Sequence, residues 1–175
     1  MSLDDEARPA ARLTVLAGPS GAGRESVVEL VRARSPSVWT PLAVTTRPRR
    51  EGELEGVHRH FLAPLEFDRR VARGELLEWS RCGAYRRGTE LAPVQDRLAA
   101  GSPVLLPLDL DGALLVRAVV PDARLVLLHP PGRRPGTATA FDRSVSHDRT
   151  ERVVDELVGL IGSSFLAPAR PRPRG

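Results

Sequence analysis

Lysine is missing from this chain, and cysteine and aromatic residues are scarce. All 26 basic residues are arginine, which suits codon bias in a GC-rich genome, so arginine at any one position says little by itself. The single Cys82 cannot form an internal disulfide, which agrees with a reducing compartment. Aromatic residues make up 4 % of the chain and do not alternate with basic ones, so nothing predicts nucleic-acid binding.

Long apolar runs are missing as well. No run reaches the roughly 18 residues that a membrane helix needs, and the acidic first twelve residues are not followed by an apolar segment of the signal-peptide type. The sequence therefore predicts a cytoplasmic protein without membrane contact. A hydrophobic content of 41 % is enough for a globular core, and the net charge of +4 favours anionic ligands such as nucleotides.

Short apolar segments alternate with amphipathic ones along the chain. Strands are predicted at 13–17, 42–44, 76–82, 104–110, 124–129 and 141–146, and helices at 26–34, 65–73, 91–100, 111–120 and 149–161. This alternation predicts an α/β fold with a mainly parallel sheet, whose ligands lie at the carboxyl ends of the strands. We expect one domain over 1–163, a small β-rich lobe at about 45–89, and a disordered tail at 164–175.

The segment after the first strand has the composition of a phosphate-binding loop. The usual pattern is G-x-x-x-x-G-K-[ST], and Gly18 and Gly23 match its glycines. Arg24 stands at the lysine position and Glu25 at the position of the metal-binding hydroxyl. Small residues allow backbone N–H groups to surround an anion at a helix N-terminus. The predicted phosphate loop comprises Gly18, Pro19, Ser20, Gly21, Ala22, Gly23 and Arg24.

Five motifs follow one another in a fixed order along the chain. They are GPSGAG, TTRPRREGELEG, GELLEWSRCGAYRRGT, LDLDG and PDARLVLLHPP. In this order and spacing the chain resembles the guanylate kinases over about residues 13–131, and again from FDRSVSHD into the last helix. The resemblance implies a three-layer fold of the P-loop NTPase type. It also implies transfer of the γ-phosphoryl group of ATP to GMP, with Mg²⁺.

The GMP-binding half of the family's pattern is largely kept. The resemblance implies that Arg47 and Arg50 hold the GMP phosphate, a task that suits the fork of a guanidinium. It implies that Glu78, Thr89 and Asp109 read the base. A carboxylate complements guanine, because the N1–H and N2–H₂ groups of guanine are all donors. Asp109 also interrupts an apolar segment, so we expect it to be buried beside an arginine or a ligand.

Two family tyrosines that help to hold the GMP phosphate are replaced here by Arg59 and Arg87. Both would then join Arg47 and Arg50 around one phosphate, which needs fewer than four cations. Two hypotheses stay open. In the first, the two arginines arose by neutral drift. In the second, the pocket prefers a more anionic ligand such as GDP, GTP, a hyperphosphorylated guanosine or a phosphoprotein.

The ATP-binding half departs further from the family. Arginine is planar and bulkier than lysine, so Arg24 is not a conservative exchange. Glu25 removes the Mg²⁺-binding hydroxyl, for which Ser26 is a weak substitute, and Pro107 stands where the family often has an acidic residue. Only GRRPGTATA separates Pro131 from the last strand, where the family carries an arginine-bearing lid.

These losses predict a pseudokinase, that is, a catalytically impaired protein that binds guanine nucleotide. Because Arg24 and Glu25 depart from the phosphate-loop pattern, no catalytic residue is assigned. No resident metal is expected, and Mg²⁺ is expected only if the protein is active. ATP binding is predicted to be weak or absent. Two alternatives remain: a working guanylate kinase that makes GDP and ADP, and a docking module that holds a phosphoprotein in the GMP pocket.

Overall fold

The structure is a computed structural model that describes residues 13–19, 21–132, 136 and 138–163. Ser20 of the predicted phosphate loop and the predicted tail at 164–175 lie outside the described residues. The α/β class is confirmed, with two four-stranded sheets and five α-helices in this part of the chain. None of the described helices is both long enough and apolar enough to cross a membrane.

The elements follow the predicted order, with two strands, at 60–61 and 85–90, that the prediction does not contain. The strands are β1 (Leu13–Ala17), β2 (Ala43–Thr45), β3 (His60–Phe61), β4 (Leu76–Cys82), β5 (Tyr85–Glu90), β6 (Val104–Leu108), β7 (Arg124–His129) and β8 (Arg143–Ser146). The helices are α1 (Arg24–Arg34), α2 (Pro64–Ala72), α3 (Leu91–Ala99), α4 (Leu110–Val119) and α5 (Thr150–Ser163).

The central sheet is wholly parallel, in the order β6-β1-β7-β8. Every residue of β1 is buried, as expected for a parallel strand covered on both faces. On one face Val15 packs in a core with Val94 of α3 and Val116 of α4. On the other face Leu16 packs in a second core that includes buried residues of α1 and α5. Helices therefore cover both faces, which gives the predicted three layers.

The second sheet has the order β3-β2-β5-β4 and is mixed, because β2 is parallel to β3 and antiparallel to β5. Strands β4 and β5 form a hairpin. Phe67 of α2 is fully buried, and its ring meets Trp79 of β4 edge-on, with centroids 6.1 Å apart and planes at 78°. The other tryptophan, Trp39, lies beneath the guanidinium of Arg97 at 5.1 Å.

Two boundaries near the predicted site differ from the sequence prediction. Helix α1 begins at Arg24 rather than at residue 26, because Gly23 precedes it with φ of +76°. Strand β6 ends at Leu108 because Asp109 caps α4, with its Oδ1 accepting a hydrogen bond from the N–H of Gly112 at 2.8 Å. Asp109 is thus half-buried at a helix N-terminus, where a backbone N–H donates to it and Arg24 lies within electrostatic reach. The expected ligand beside it stays a prediction.

Candidate functional site

A cleft of about 410 Å³ separates the loop after β1 from strand β5. Its walls bring together three segments that are distant in sequence: the phosphate loop with the first turn of α1, β5, and the end of β6. The lining residues are Gly21, Ala22, Gly23, Arg24, Glu25, Ser26, Arg87 and Pro107. The cleft lies at the carboxyl ends of the central strands, where the sequence places the ligand.

Glycine gives the phosphate loop its shape. Gly21 and Gly23 have φ of +79° and +76°, a region that other residues rarely adopt. A Cβ on Gly18 would lie only 2.8 Å from the carbonyl oxygen of Leu128, so the loop packs directly on β7. Within the described residues no side chain caps α1. The backbone N–H groups of its first turn therefore remain available to an anion.

Arg24 projects from the loop as a partly buried cation. Its Nη1 is buried and has no hydrogen-bond partner in the described part of the chain. Burial lowers the pKa of Arg24, and the charge of Arg87 lowers it further, whereas Asp109 and Glu25 act in the opposite direction. A buried donor without an acceptor is costly, and a phosphate oxygen would satisfy it.

Arg59 and Arg87 both face this region. Burial lowers the pKa of Arg59, and the charges of Arg87 and then Arg47 lower it further. Arg59 Nη2 also lies 3.8 Å from Glu25 Oε1, which joins the second sheet to the first turn of α1. Arg59 therefore lies within electrostatic reach of both Arg87 and Arg47, and Arg24 lies within reach of Arg87. Their convergence on one phosphate stays a prediction.

Arg50 is placed differently from these cations. It is exposed, and it donates its backbone N–H to Glu53 Oε2 at 2.9 Å. Glu53 also pairs with both terminal nitrogens of Arg47, at 2.7 and 2.6 Å. The hydrogen bonds from Arg47 and from the Arg50 backbone lower the pKa of Glu53 to about 2. Glu53 orients Arg47, and sequence reasoning missed it although it stands inside the TTRPRREGELEG motif.

A second group of polar side chains, called here the Glu78 cluster, lies beside the start of α4. Glu78 is 4 % exposed, and Thr89, opposite it in the β4–β5 hairpin, donates its hydroxyl to Glu78 Oε1 at 2.7 Å. Burial raises the pKa of Glu78, the Thr89 hydrogen bond opposes that shift, and Asp109 adds to it. A Cβ on Gly112 would lie 3.0 Å from Asp109 Oδ1 and 3.5 Å from Glu78 Oε2. Glu78 and Asp109 therefore meet at Gly112, and Thr89 joins them through its hydrogen bond to Glu78.

Oxygen donors suited to Mg²⁺ line the cleft, although the described residues hold no cluster of three His, Cys, Asp or Glu side chains that could bind a metal alone. The Glu25 carboxylate and the Ser26 hydroxyl are both present in the lining. Mg²⁺ in nucleotide sites usually takes one or two protein oxygens together with phosphate oxygens and water. This donor set fits a magnesium ion that arrives with nucleotide phosphates.

Known proteins resemble the chain over most of its length. The family model described as Guanylate kinase matches residues 10–159. A guanylate kinase of Thermobifida fusca (strain YX) is 57 % identical, across 87 % of this chain and 91 % of that protein. One of Streptomyces coelicolor is 51 % identical, across 72 % of this chain and 63 % of that protein, so the chain spans less than two thirds of this relative.

Among solved structures, the crystal structure of guanylate kinase from Anaplasma phagocytophilum superposes with a TM-score of 0.74 at 22 % identity. The superposition covers 90 % of this chain and 88 % of that one. At this identity the likeness supports the fold.

Proposed function

The chain belongs to the guanylate kinase family, and from that membership we propose that it transfers the γ-phosphoryl group of ATP to GMP, giving GDP and ADP. The prediction of a pseudokinase is wrong, because relatives 57 and 51 % identical are named guanylate kinase. The working enzyme, stated above as an alternative, replaces it. The predicted weak ATP binding loses its basis with the pseudokinase, and ATP is the proposed phosphoryl donor.

The buried Glu78 carries this proposal. A carboxylate held 4 % exposed in the fold is costly unless something pairs with it, and Thr89 satisfies only Oε1. Guanine presents N1–H and N2–H₂ side by side, so its donor edge suits the remaining acceptor capacity of Glu78 and the nearby Asp109. Adenine, whose ring N1 is an acceptor, would face these carboxylates with the wrong polarity.

The second sheet and α2 form the proposed GMP-binding lobe, at about 45–89 within a domain over 1–163. Arg47, oriented by Glu53, and Arg50 are proposed to hold the GMP phosphate. Arg59 and Arg87 add positive charge between this phosphate and the phosphate loop. The resulting row of cations suits two phosphate groups that must approach each other despite their like charge.

The ATP phosphates are proposed to lie in the loop 18–24. Arg24 replaces the family's lysine as the cation of the loop, and its unpartnered Nη1 is the donor for a phosphate oxygen. Mg²⁺, when bound, would neutralise charge on the phosphates, and Glu25 and Ser26 are the residues that would hold it. Arginine in place of lysine thus changes the donors that bind the phosphates, while the positive charge of the loop that faces them stays the same.

Several finer predictions stay predictions. These are the preference for GDP, GTP or a hyperphosphorylated guanosine, the docking of a phosphoprotein, and the shortened lid. The lid segment lies within residues 132–140, of which 133–135 and 137 are outside the described residues.

The test is phosphoryl transfer by the purified protein. We expect γ-labelled ATP with Mg²⁺ and GMP to give labelled GDP over many turnovers, and AMP in place of GMP to give no labelled product. Arg47→Ala should reduce the rate strongly. Arg81→Ala, an exposed arginine on β4, is the matched control and should not. No labelled GDP from a protein that binds both nucleotides would overturn the proposal.

A further inference from the structure

His147 lies just after β8, far in sequence from the phosphate loop, and contacts that loop directly. Its Nδ1 is 2.7 Å from the carbonyl oxygen of Ala22. A Cβ built on Gly23 would lie 2.5 Å from His147 Cε1, so the imidazole fills the space that any side chain at position 23 would need. The ring therefore packs against the loop at the point where the loop becomes α1.

The imidazole is held from its other side too. Its Nε2 lies 3.1 Å from the hydroxyl of Thr150, the first residue of α5. The backbone N–H of His147 donates to the carbonyl oxygen of His129 at 2.8 Å, which extends the pairing of β7 with β8. Main chain and both ring nitrogens are thus all engaged, and the ring has one orientation.

These contacts specify how the ring is protonated when it is neutral. A carbonyl oxygen only accepts, so the Ala22 contact requires the proton on Nδ1. Nε2 then accepts a hydrogen bond from the Thr150 hydroxyl, which can donate. The Ala22 carbonyl is consequently fixed in direction by a donor from outside the loop.

Fixing that carbonyl also fixes an N–H group. The C=O and N–H of one trans peptide point in opposite directions, and the described chain has no cis peptide. The carbonyl of Ala22 points at His147, so the N–H of Gly23 in the same peptide points away from it. Gly23 lines the cleft, whereas His147 is not among the lining residues.

We propose that His147 is a positioning residue of the phosphate loop: it holds the Ala22–Gly23 peptide so that the Gly23 N–H faces the phosphates of the bound nucleoside triphosphate. The role rests on the proposed function, because it takes the loop as the ATP site. His147 touches no nucleotide itself. Its effect should reach the triphosphate and spare GMP, which binds at the other end of the cleft.

The first experiment separates the two nucleotides by titration calorimetry, with a non-hydrolysable ATP analogue and with GMP. His147→Ala should weaken the analogue about tenfold, the cost of one lost hydrogen bond and a loosened peptide, and should change GMP affinity less than twofold. In steady-state assays the KM for ATP should rise more than kcat falls. His147→Asn, whose side-chain N–H can donate to the Ala22 carbonyl, should restore most of the affinity. Glu151→Gln, an exposed change one residue beyond Thr150, is the matched control.

A second experiment reads the contact without any ligand. Gly23→Ala should lower the thermal midpoint more in the wild-type background than in His147→Ala, because the 2.5 Å clash disappears with the ring while the unfavourable φ persists. Equal losses in the two backgrounds would contradict the contact.

The outcomes also distinguish this proposal from the proposed function. If His147→Ala binds the ATP analogue as tightly as the wild type and still transfers phosphate to GMP, the positioning role is overturned and the proposed kinase activity is not. Equal losses of analogue and GMP affinity would indicate a general structural role and would overturn it as well. A well-folded His147→Asn that fails to recover affinity would contradict the hydrogen-bond account. A wild-type protein that binds no triphosphate would overturn both proposals.

Discussion

In the Glu78 cluster Glu78 and Thr89 are almost wholly buried and joined by a 2.7 Å hydrogen bond, whereas in the cleft Arg59 faces Glu25 at 3.8 Å and the Glu25 side chain is 85 % exposed. The departures that the resemblance implies all lie in or beside the cleft: Arg24, Glu25, Arg59 and Arg87. Glu78 and Thr89 are of the residue types that the resemblance implies. Recognition by hydrogen bonds in a dry site fixes the residue, because an unpaired group there is costly. In an open cleft that recognises its ligand by charge, different residues can serve as long as the total positive charge is kept.

The largest effect should come from the Glu78 cluster. Glu78→Gln replaces one acceptor oxygen by a donor that faces guanine's own donors, so we expect kcat/KM for GMP to fall about 10²- to 10³-fold. The KM for ATP should change little. Steady-state kinetics with each substrate varied in turn checks this. A fall in kcat/KM for GMP of less than tenfold would mean that Glu78 tolerates substitution as well as the residues of the open cleft do.

The next effect tests whether the cleft recognises charge alone. Arg24→Ala should lower kcat about 10²-fold, because it removes a donor aimed at the phosphates. Arg24→Lys keeps the charge while changing the donor geometry, so if the cleft recognises charge alone, its kcat should stay within about fivefold of the wild type. If the lysine variant were as slow as the alanine variant, the geometry of this arginine would matter as much as that of Glu78.

A smaller effect is expected from returning the family's tyrosines. Arg59→Tyr and Arg87→Tyr together should lower kcat/KM by about tenfold at low salt and should flatten its decline with added salt, since two cations at the cleft are lost. Arg81→Tyr on the same hairpin provides the control. A salt dependence equal to that of the wild type would mean that these arginines do not act on the phosphates.

The smallest effect concerns stability and pH. Burial raises the folded-state pKa of Glu78 above its usual 4.5, so the folded state favours the protonated form. The resulting stabilisation is complete below the unfolded-state pKa and is lost as pH rises through the folded-state value. Relative to Glu78→Gln, the wild type should therefore lose free energy of unfolding as pH rises above 4.5. Urea unfolding at several pH values measures this difference. If the wild type instead gained stability relative to Glu78→Gln as pH rose, burial would not be the main influence on the Glu78 pKa.

The sequence predicts β1 and β7 at their observed bounds, because their apolar runs end at Gly18 and Pro130. The prediction for β6 extends two residues past Leu108, and that for β8 starts two residues before Arg143. Strand β3 has two residues, too few for any periodic pattern, so its place at the edge of the second sheet could not be predicted. The meeting of Glu78, Thr89 and Asp109 follows from family motifs, although the capping role of Asp109 does not. The contact between His147 and Ala22 spans 125 positions, and a lone histidine carries no pattern that would reveal it.

The edge-on pair of Phe67 and Trp79 gives the proposed GMP-binding lobe an optical signal of its own. Trp79 follows Glu78 directly on β4 and is 37 % exposed, so its emission responds to water and to any change in the hairpin. The second tryptophan, Trp39, is covered by Arg97. In a Trp39→Phe protein, the remaining fluorescence would come from the lobe alone, and the arrival of GMP could be followed in real time without a label.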